Sequence, residues 1–280
     1  MNQNSEFKSF FKTVGGNEGS KCSYPTRLDC YGRGCSNNCS YCYAKSLLDF
    51  RQFWNPEQPA VADIKKIRRK IKQIEPGTVL RLGGMTDCFQ ACEQEYEVTY
   101  ETIKALNDQG VGYLIVTKCP LVAEKKYMSI MDKQLAHVQI SITTTDDQLN
   151  RSYEHTSPFS QRVEAIERLE QAGFDVTLRL SPFIPEYVDF ERLSEIQCHK
   201  ILVEFLRVNS WIMKWFDLDY RDYTLVQSGY RHMPLDRKKY FLQKIYGFSE
   251  MSVCDDVTEH YDYWRKNVNH NPKDCCNLSI

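Results

Sequence analysis

Three closely spaced cysteines are the feature of the sequence with the clearest chemical potential. Cys35, Cys39 and Cys42 form the pattern C-x3-C-x2-C within the segment G-C-S-N-N-C-S-Y-C-Y-A. Three thiols cannot all pair in disulfides, and a tetrahedral zinc ion would need a fourth ligand. Three thiolates on one loop suit three corners of a [4Fe–4S] cluster, whose usual ligands are cysteine thiolates, and leave one iron open to a small molecule. A structural zinc loop and ordinary buried cysteines are the alternatives.

Composition places the chain among ordinary globular proteins. Of its 280 residues, 42% are hydrophobic and 26% are charged, and the net charge is −1. This charge argues against a protein held on nucleic acid by bulk electrostatics, although a local basic groove remains compatible with it. No run approaches the roughly 18 apolar residues of a membrane span, and the N-terminus lacks the apolar core of a signal peptide. We therefore predict a cytoplasmic protein with no membrane partner, in which twelve cysteines point to metal binding or catalysis.

The elements that must position the three cysteines alternate between strands and helices. Strands are predicted at 25–31, 78–83, 112–118, 138–143, 175–180 and 200–208, and helices at 44–53, 63–74, 95–108, 123–134, 158–172 and 189–196. This alternation implies βαβ units and a parallel sheet. About six such units predict an α/β fold, a partial (β/α)6 barrel of TIM type.

The predicted barrel occupies residues 22–210. Residues 1–21 are polar and are predicted to form a peripheral segment. Residues 211–280 are rich in Trp, Tyr, Asp and Lys and predict a mostly helical extension, with helices near 234–246 and 258–266 and no clear strands.

In a parallel β/α barrel, chemistry takes place at the carboxyl ends of the strands. Gly83 and Gly84 follow the second predicted strand and would let the backbone approach a ligand closely, although a plain turn needs no ligand. Lys118, at the end of the third strand, could reach a carboxylate or could be an ordinary surface lysine.

Two further strands carry polar groups. Ser141 and Thr143 share a strand face, because side chains alternate with a period of two. Hydroxyls on an inner face would suit contacts to a ribose. Arg179 lies within a strand and needs an anionic partner if it is buried. A ligand carboxylate or a structural glutamate could be that partner.

Taken together, these segments resemble a known family. The pattern C-x3-C-x-aromatic-C, with Tyr41 as its aromatic residue, resembles the signature of the radical S-adenosylmethionine (SAM) superfamily. With L-R-L-G-G-M-T-D, V-T-K and R-L-S-P-F-I-P, the region 22–190 is similar to the spore photoproduct lyase-like branch, which resembles DNA repair photolyases.

The resemblance assigns roles to individual residues. Cys35, Cys39 and Cys42 would hold the [4Fe–4S] cluster, and Tyr41 and Tyr43 would line the SAM and substrate side. Gly83 and Gly84 would flank the methionine part of SAM. Lys118 would contact SAM, with Ser141 beside it. Arg179 and Thr143 are candidate contacts to SAM from their strand positions alone, for its carboxylate and its ribose.

The resemblance also implies a reaction. Members of the superfamily cleave SAM reductively, with an electron donor such as flavodoxin or ferredoxin, and the resulting 5′-deoxyadenosyl radical takes a hydrogen atom from the substrate. The branch favours a nucleic acid or nucleotide substrate, while a peptide or small metabolite remains open. The lyase has a hydrogen-donating cysteine shortly after its second strand. Here Gly84 or Met85 stands at that place, so Cys88 and Cys92 become the candidate catalytic thiols.

A second group of cysteines lies near the C-terminus. Cys254, Cys275 and Cys276 accompany His260 and His270. They could form an auxiliary iron–sulfur cluster, completed by one of Cys22, Cys30, Cys88 or Cys92. They could instead form a zinc site with histidine, or a redox-active or fortuitous pair. Because adjacent cysteines do not easily bind one metal, we expect only one of Cys275 and Cys276 to be a ligand.

A hypothesis of a different class is a non-catalytic zinc or iron–sulfur module that binds nucleic acid. The predicted helix at 63–74 is strongly basic, and the chain has 17 tyrosines. A solvated helix face is the simpler interpretation of these charges. A module that only binds nucleic acid also does not need the barrel that the βα pattern predicts.

Overall fold

An eight-stranded, mostly parallel sheet forms the centre of the protein. The computed structural model describes residues 11–278. Its sheet strands follow one another in chain order: β1 (Phe11–Thr13), β2 (Thr26–Leu28), β3 (Val79–Leu82), β4 (Gly112–Thr117), β5 (Ala136–Ile142), β6 (Asp175–Phe183), β7 (Lys200–Phe205) and β8 (Glu250–Val253). Only β1 is antiparallel to its neighbour, β2. Two antiparallel pairs stand apart: Tyr31–Gly32 with Ala60–Val61, and Leu225–Gln227 with Tyr230–His232.

Helices occupy most of the connections between the strands. They are α1 (Gly16–Lys21), α2 (Tyr43–Phe50), α3 (Ile64–Ile71), α4 (Glu93–Tyr96), α5 (Val98–Gln109), α6 (Lys125–Met128), α7 (Asp147–Tyr153), α8 (Phe159–Gln171), α9 (Phe190–Ser194), α10 (Ser210–Trp215), α11 (Leu235–Leu242) and α12 (Thr258–Asn267). Short 3₁₀ turns span Pro120–Ala123 and Pro185–Tyr187. Among the residues that the structure describes, no helix is both long and apolar enough to cross a membrane.

The middle of the sheet is buried on both faces. All seven residues of β5 are buried, as expected of a parallel strand between a layer of helices and a filled barrel interior. Helix α8 packs against β5 and β6 through Ala165, Ile166 and Leu169. The chain leaves the helix at Gly173, whose φ of +75° lies in the left-handed region that glycine adopts without strain. The sequence predicted this helix and its glycine.

The barrel is open between its first and last strands, since no backbone pairing joins β8 to β1 or β2 within residues 11–278. Side-chain contacts span the opening instead. The Lys21 ammonium donates a hydrogen bond to the Asp256 carbonyl at 2.5 Å, and the Tyr261 hydroxyl donates to the Lys21 carbonyl at 3.1 Å. The Tyr24 hydroxyl donates to the Asp274 carboxylate at 2.7 Å. The chain after β8 therefore packs against the chain before β2.

The predicted α/β fold is confirmed, with two strands more than the six predicted: the antiparallel β1 and the parallel β8. β8 comes from the segment expected to be mostly helical and pairs in parallel with β7, from Glu250 opposite Lys200 to Val253 opposite Val203. Its sequence, E-M-S-V, has only one β-branched residue, which explains why the strand pattern was weak. The predicted division into three segments stays a prediction. Residues 1–10 of the predicted peripheral segment lie outside the described residues.

One predicted helix is largely wrong. In place of a helix over 123–134, the structure has the turn Pro120–Ala123 and the single helical turn α6. The cause lies at Asp132, whose carboxylate accepts a hydrogen bond from the Gln134 backbone N–H at 2.8 Å. Such local bonding by aspartate favours a turn over a helix.

Candidate active site

The three cysteines of the loop at 34–42, here called the cluster loop, face a common space. Cys35, Cys39 and Cys42 all line a cavity of about 270 Å³. Two backbone hydrogen bonds of 3.1 Å, from Asn38 to Cys35 and from Cys42 to Cys39, fold the loop into consecutive turns. Cys42 then caps α2, which begins at Tyr43. The chain thus turns three thiols toward one cavity within a single short loop.

Asp87 links the cluster loop to the end of β4 through hydrogen bonds. One carboxylate oxygen accepts hydrogen bonds from the Asn37 side chain at 3.2 Å and from the Lys118 backbone at 2.8 Å. The other accepts from the Thr117 hydroxyl at 2.7 Å. Asp87 is 9% exposed and lines the cavity. It therefore fixes the position of the loop relative to Lys118.

Glu154 is the centre of a buried network behind the cluster loop. Its carboxylate accepts hydrogen bonds from the Tyr41 hydroxyl, from the Thr143 hydroxyl at 3.1 Å and from Arg162, with which it forms an ion pair. The side chains of Glu154 and Arg162 are 0% and 1% exposed. Burial raises the pKa of the Glu154 carboxyl, and the guanidinium of Arg162 opposes this shift. The network holds Tyr41 in place beside the cysteines.

Lys118 directly follows the end of β4 and lines the cavity, as the sequence predicted. Its ammonium donates to the Ser181 carbonyl at 3.2 Å, lies 3.6 Å from the Glu154 carboxylate and stands 5.6 Å from the centre of the Tyr41 ring. Burial lowers the pKa of Lys118 to about 8. It is a cation held at the cavity wall by three neighbours.

The glycine turn after β3 also reaches the cavity. The Tyr43 hydroxyl donates a hydrogen bond to the Gly84 carbonyl at 2.9 Å. Asp29 accepts hydrogen bonds from the backbone N–H groups of Gly84 and Met85 at 2.7 and 3.0 Å. A Cβ at Gly84 would lie only 2.5 Å from the Arg27 side chain. The turn therefore needs glycine for close packing against β2.

We expect Gly83→Ala to lower the free energy of unfolding by about 2–3 kcal/mol. Gly83 has a φ of +82°, and a Cβ there would lie 2.9 Å from the Thr86 carbonyl oxygen. Gly77→Ala is the matched control, because Gly77 has a φ of +81° with no atom within 4 Å of that Cβ. We expect the control to cost about 1 kcal/mol. Equal losses of unfolding free energy in the two variants, measured by urea denaturation, would contradict this account.

Arg179 lines the cavity, and its anionic partner is a glutamate. Its guanidinium forms an ion pair with Glu204 and donates to the Gln139 side chain at 2.7 Å. The Ser181 hydroxyl also donates to Glu204, at 2.8 Å. Burial raises the pKa of Glu204, but Arg179, Arg207 and the Ser181 hydroxyl together outweigh this effect and hold the value at about 2. The anionic partner of Arg179 in the structure is therefore Glu204, a residue of the protein itself.

Ser141 and Thr143, which were predicted to share a strand face, lie in different surroundings. Ser141 lines the cavity, whereas Thr143 is fully buried and bonds to the Tyr153 hydroxyl at 2.9 Å and to Glu154. β5 ends at Ile142, so the alternation of a strand no longer applies to Thr143. The structure places Thr143 in the buried network around Glu154 and not on the cavity wall.

The candidate catalytic thiols lie away from the cavity. Neither Cys88 nor Cys92 is among the residues that line it. Cys88 is 0% exposed, and its carbonyl accepts a hydrogen bond from the Thr99 hydroxyl at 2.5 Å. Cys92 precedes α4, and burial raises its pKa to about 12. Their positions do not support a role as hydrogen donors, because neither thiol faces the space that would hold a substrate.

Sequence reasoning missed Asp87, Glu154 and Arg207 as parts of the site. The guanidinium of Arg207 stacks 4.8 Å from the centre of the Tyr43 ring and pairs with Asp256 at 2.9 Å. Asp87 directly follows the G-G-M-T segment, so its position after a strand could have indicated it. Glu154 follows a helix, and no local pattern distinguishes it from a surface glutamate.

The residues of the cluster loop fit a [4Fe–4S] cluster. None of the twelve cysteines, all of which lie in the described part of the chain, forms a disulfide. Burial raises the pKa of the Cys35 and Cys39 thiols well above the usual value. Metal ligands must be deprotonated, so bound iron would supply the positive charge that stabilises these buried thiolates. Three thiols facing one cavity match three corners of the cluster and leave its fourth iron accessible from the cavity.

Of the second group of cysteines, Cys254, Cys275 and Cys276 line the same cavity, and so does Cys22. Cys30, another predicted partner, does not; it contacts the Thr102 hydroxyl at 3.7 Å. Neither predicted histidine joins the group. His260 lies beside the Lys238 ammonium at 3.1 Å, and His270 lies 3.9 Å from Glu250. These positions favour thiolate over histidine ligands.

Comparison with known proteins identifies the family. Residues 30–195 match the model of the radical SAM superfamily, so the chain belongs to that superfamily. An uncharacterized protein of Mycobacterium tuberculosis is 28% identical over 174 residues, covering 56% of this chain and 49% of the relative. An uncharacterized protein of Methanocaldococcus jannaschii is 25% identical over 172 residues, covering 56% of this chain and 60% of the relative. The chain thus spans about half the length of the curated relatives it matches.

Solved structures show the same fold. A mutant of spore photoproduct lyase with bound AdoMet and dinucleoside spore photoproduct superposes with a TM-score of 0.61 at 16% identity, covering 87% of this chain and 78% of that one. The structure of anSMEcpe with bound AdoMet gives a TM-score of 0.51 at 12% identity, covering 86% and 58%. The chain therefore carries a radical SAM domain, and the cofactors of this superfamily are a [4Fe–4S] cluster and SAM.

Proposed function

We propose that this enzyme cleaves SAM reductively at a cluster held by Cys35, Cys39 and Cys42 and removes a hydrogen atom from a nucleic acid or nucleotide. The observation that carries the proposal is that these cysteines, Lys118 and the Gly83–Gly84 turn line one cavity. When bound, the cluster held by Cys35, Cys39 and Cys42 would supply the electron that cleaves SAM to methionine and a deoxyadenosyl group, which would take the hydrogen atom from the substrate to become 5′-deoxyadenosine.

The protein's own contribution is to orient SAM and exclude water. Lys118, held by Ser181 and Glu154, is the cation best placed to bind the SAM carboxylate. The Gly84 carbonyl accepts the Tyr43 hydroxyl with one lone pair and can accept an ammonium group with the other. Burial of Cys35, Cys39 and Tyr41 shields the reaction from solvent.

A nucleotide substrate is supported by aromatic and cationic groups on the cavity wall and by the shared fold. Tyr43 lies between the Gly84 carbonyl and the guanidinium of Arg207, which also lies 5.1 Å from the Tyr230 ring. Aromatic rings and arginine planes are the surfaces on which bases stack. A spore photoproduct lyase structure that contains dinucleoside spore photoproduct shares this fold at 15% identity, with a TM-score of 0.60.

Anaerobic turnover tests the proposal. Protein reconstituted with iron and sulfide should form 5′-deoxyadenosine from SAM with dithionite, and flavodoxin or ferredoxin should replace dithionite. A dinucleotide substrate deuterated at the reacting carbon should transfer deuterium into 5′-deoxyadenosine. Absence of 5′-deoxyadenosine from protein with an intact cluster would contradict the reaction and would favour the non-catalytic module. Transfer from a peptide or small metabolite, but not from nucleotides, would contradict only the substrate class.

A further inference from the structure

Four cysteines gather in the same cavity, apart from the cluster loop. They are Cys22, Cys254, Cys275 and Cys276. Cys22 lies between α1 and β2, Cys254 directly follows β8, and the other two lie in the C-terminal segment. We propose that these four thiolates bind a single tetrahedral metal ion, either zinc or iron, in a site separate from that of the cluster.

The spacing of the Cys275 and Cys276 thiols favours one ion over a cluster. The ligand atoms of Asp274, Cys275 and Cys276 lie within 4.8 Å of one another, and Cys254 packs against the same buried group as these two cysteines. Sulfur atoms around one zinc ion, each bonded at about 2.3 Å, lie about 3.8 Å apart. Ligands of a cubane cluster lie farther apart, because each binds a different iron. The proximity of both thiols leads us to include Cys275 and Cys276, although the sequence favoured only one of them.

Cys22 is a better candidate than Asp274 for the fourth ligand of the ion. One oxygen of the Asp274 carboxylate accepts the Cys276 backbone N–H at 2.9 Å. The other accepts the Tyr24 hydroxyl at 2.7 Å and the Leu278 backbone N–H at 3.2 Å. Asp274 therefore shapes the turn that presents the two adjacent thiols. Cys22 packs with Cys254 against the same buried group, which includes Tyr24, Leu114 and Leu202.

Positive charge lies beside these thiols. One ion with four thiolates carries a net charge of about −2 when the ion is divalent. Arg81 and Arg179 line the cavity with the thiols. The Nε of Arg81 is buried and has no hydrogen-bond partner among the described residues. Buried donors are normally satisfied, and a thiolate of the proposed site would satisfy this one.

The ion would join the two ends of the open sheet. Cys22 precedes the first parallel strand and Cys254 follows the last, so a shared ion bridges the opening that backbone pairing leaves. Contacts from Lys21 and Tyr24 to the chain after β8 already cross this opening. Structural metal ions of this kind contribute directly to folding stability.

The test uses the full chain with Cys35, Cys39 and Cys42 all replaced by alanine, so that any bound metal belongs to the second site. After anaerobic purification, we expect one zinc or one iron ion per chain and no acid-labile sulfide. Cys254→Ala on this background should reduce the metal content at least about tenfold. Cys198→Ala is the control, since Cys198 is buried but does not line the cavity, and should leave the metal content unchanged.

Absence of metal from the triple variant would overturn the proposal, and four irons with sulfide would overturn the single-ion form. Because Cys254→Ala could fail to fold, Co²⁺ added to the triple variant after a chelator has removed its metal gives a second measurement. Tetrahedral thiolate coordination should produce intense visible bands, and an octahedral spectrum would count against the site. Neither measurement depends on SAM cleavage, so failure here is distinct from failure of the proposed function.

Discussion

Cys39→Ala is expected to reduce formation of 5′-deoxyadenosine from SAM by more than about 100-fold. Replacing even an outer partner of a metal ligand typically costs 10- to 100-fold in metal affinity or activity, and this substitution removes a ligand itself. The remaining thiols, Cys35 and Cys42, would bind at most two corners of the cluster. Product can be quantified by chromatography after anaerobic reconstitution, together with iron and sulfide content.

Cys198→Ala is the matched control for this substitution. Cys39 and Cys198 are both 7% exposed, so the two variants lose the same buried atoms. Only Cys39 lines the cavity. The control should keep its activity within about twofold, apart from a stability loss typical of a small buried truncation. If both variants kept the activity of the wild type, the assignment of the cluster loop would be wrong.

Glu154→Gln is expected to lower the free energy of unfolding by about 3–5 kcal/mol, because it leaves the guanidinium of Arg162 buried without its counter-charge. Both side chains are almost completely buried. The substitution keeps the shape of the side chain, so lost packing contributes little. It also weakens the contact to Tyr41, so the cluster should become more sensitive to loss during purification.

The surface pair of Arg68 and Glu101 provides the comparison. These side chains are 49% and 30% exposed, and exposed ion pairs contribute about 0–1 kcal/mol. Glu101→Gln should therefore change the urea midpoint only slightly. Glu154→Gln/Arg162→Met should recover part of the loss, because it removes the unpaired charge. Similar losses for Glu154→Gln and Glu101→Gln would show that the buried pair does not stabilise the fold.

The sequence was most informative where chemistry depends on local spacing. The three cysteines lie on one loop, and the Gly83–Gly84 turn and Lys118 each follow a strand, so neighbouring strand ends bring them together. Hydrophobic periodicity was sufficient to predict those strands. The same reasoning failed at Thr143, because it assumed that β5 continued one residue beyond its end at Ile142.

Contacts between distant segments could not be read from the sequence. Arg179 pairs with Glu204 across neighbouring strands β6 and β7, and nothing near either residue indicates the other. Cys22 and Cys254 line one cavity only because β8 adds to the far end of an open sheet. The grouping of these cysteines therefore depends on β8, a four-residue strand whose sequence pattern is weak.

The most direct test of the central claim is electron paramagnetic resonance of the reduced protein, recorded with and without SAM. If the cluster loop leaves one iron open, SAM binds to that iron, and its addition should change the g-values of the reduced [4Fe–4S] signal. SAM labelled with ¹⁷O or ¹⁵N in its amino acid part should then show hyperfine coupling to the cluster. An intact cluster whose spectrum is identical with and without SAM would contradict the account.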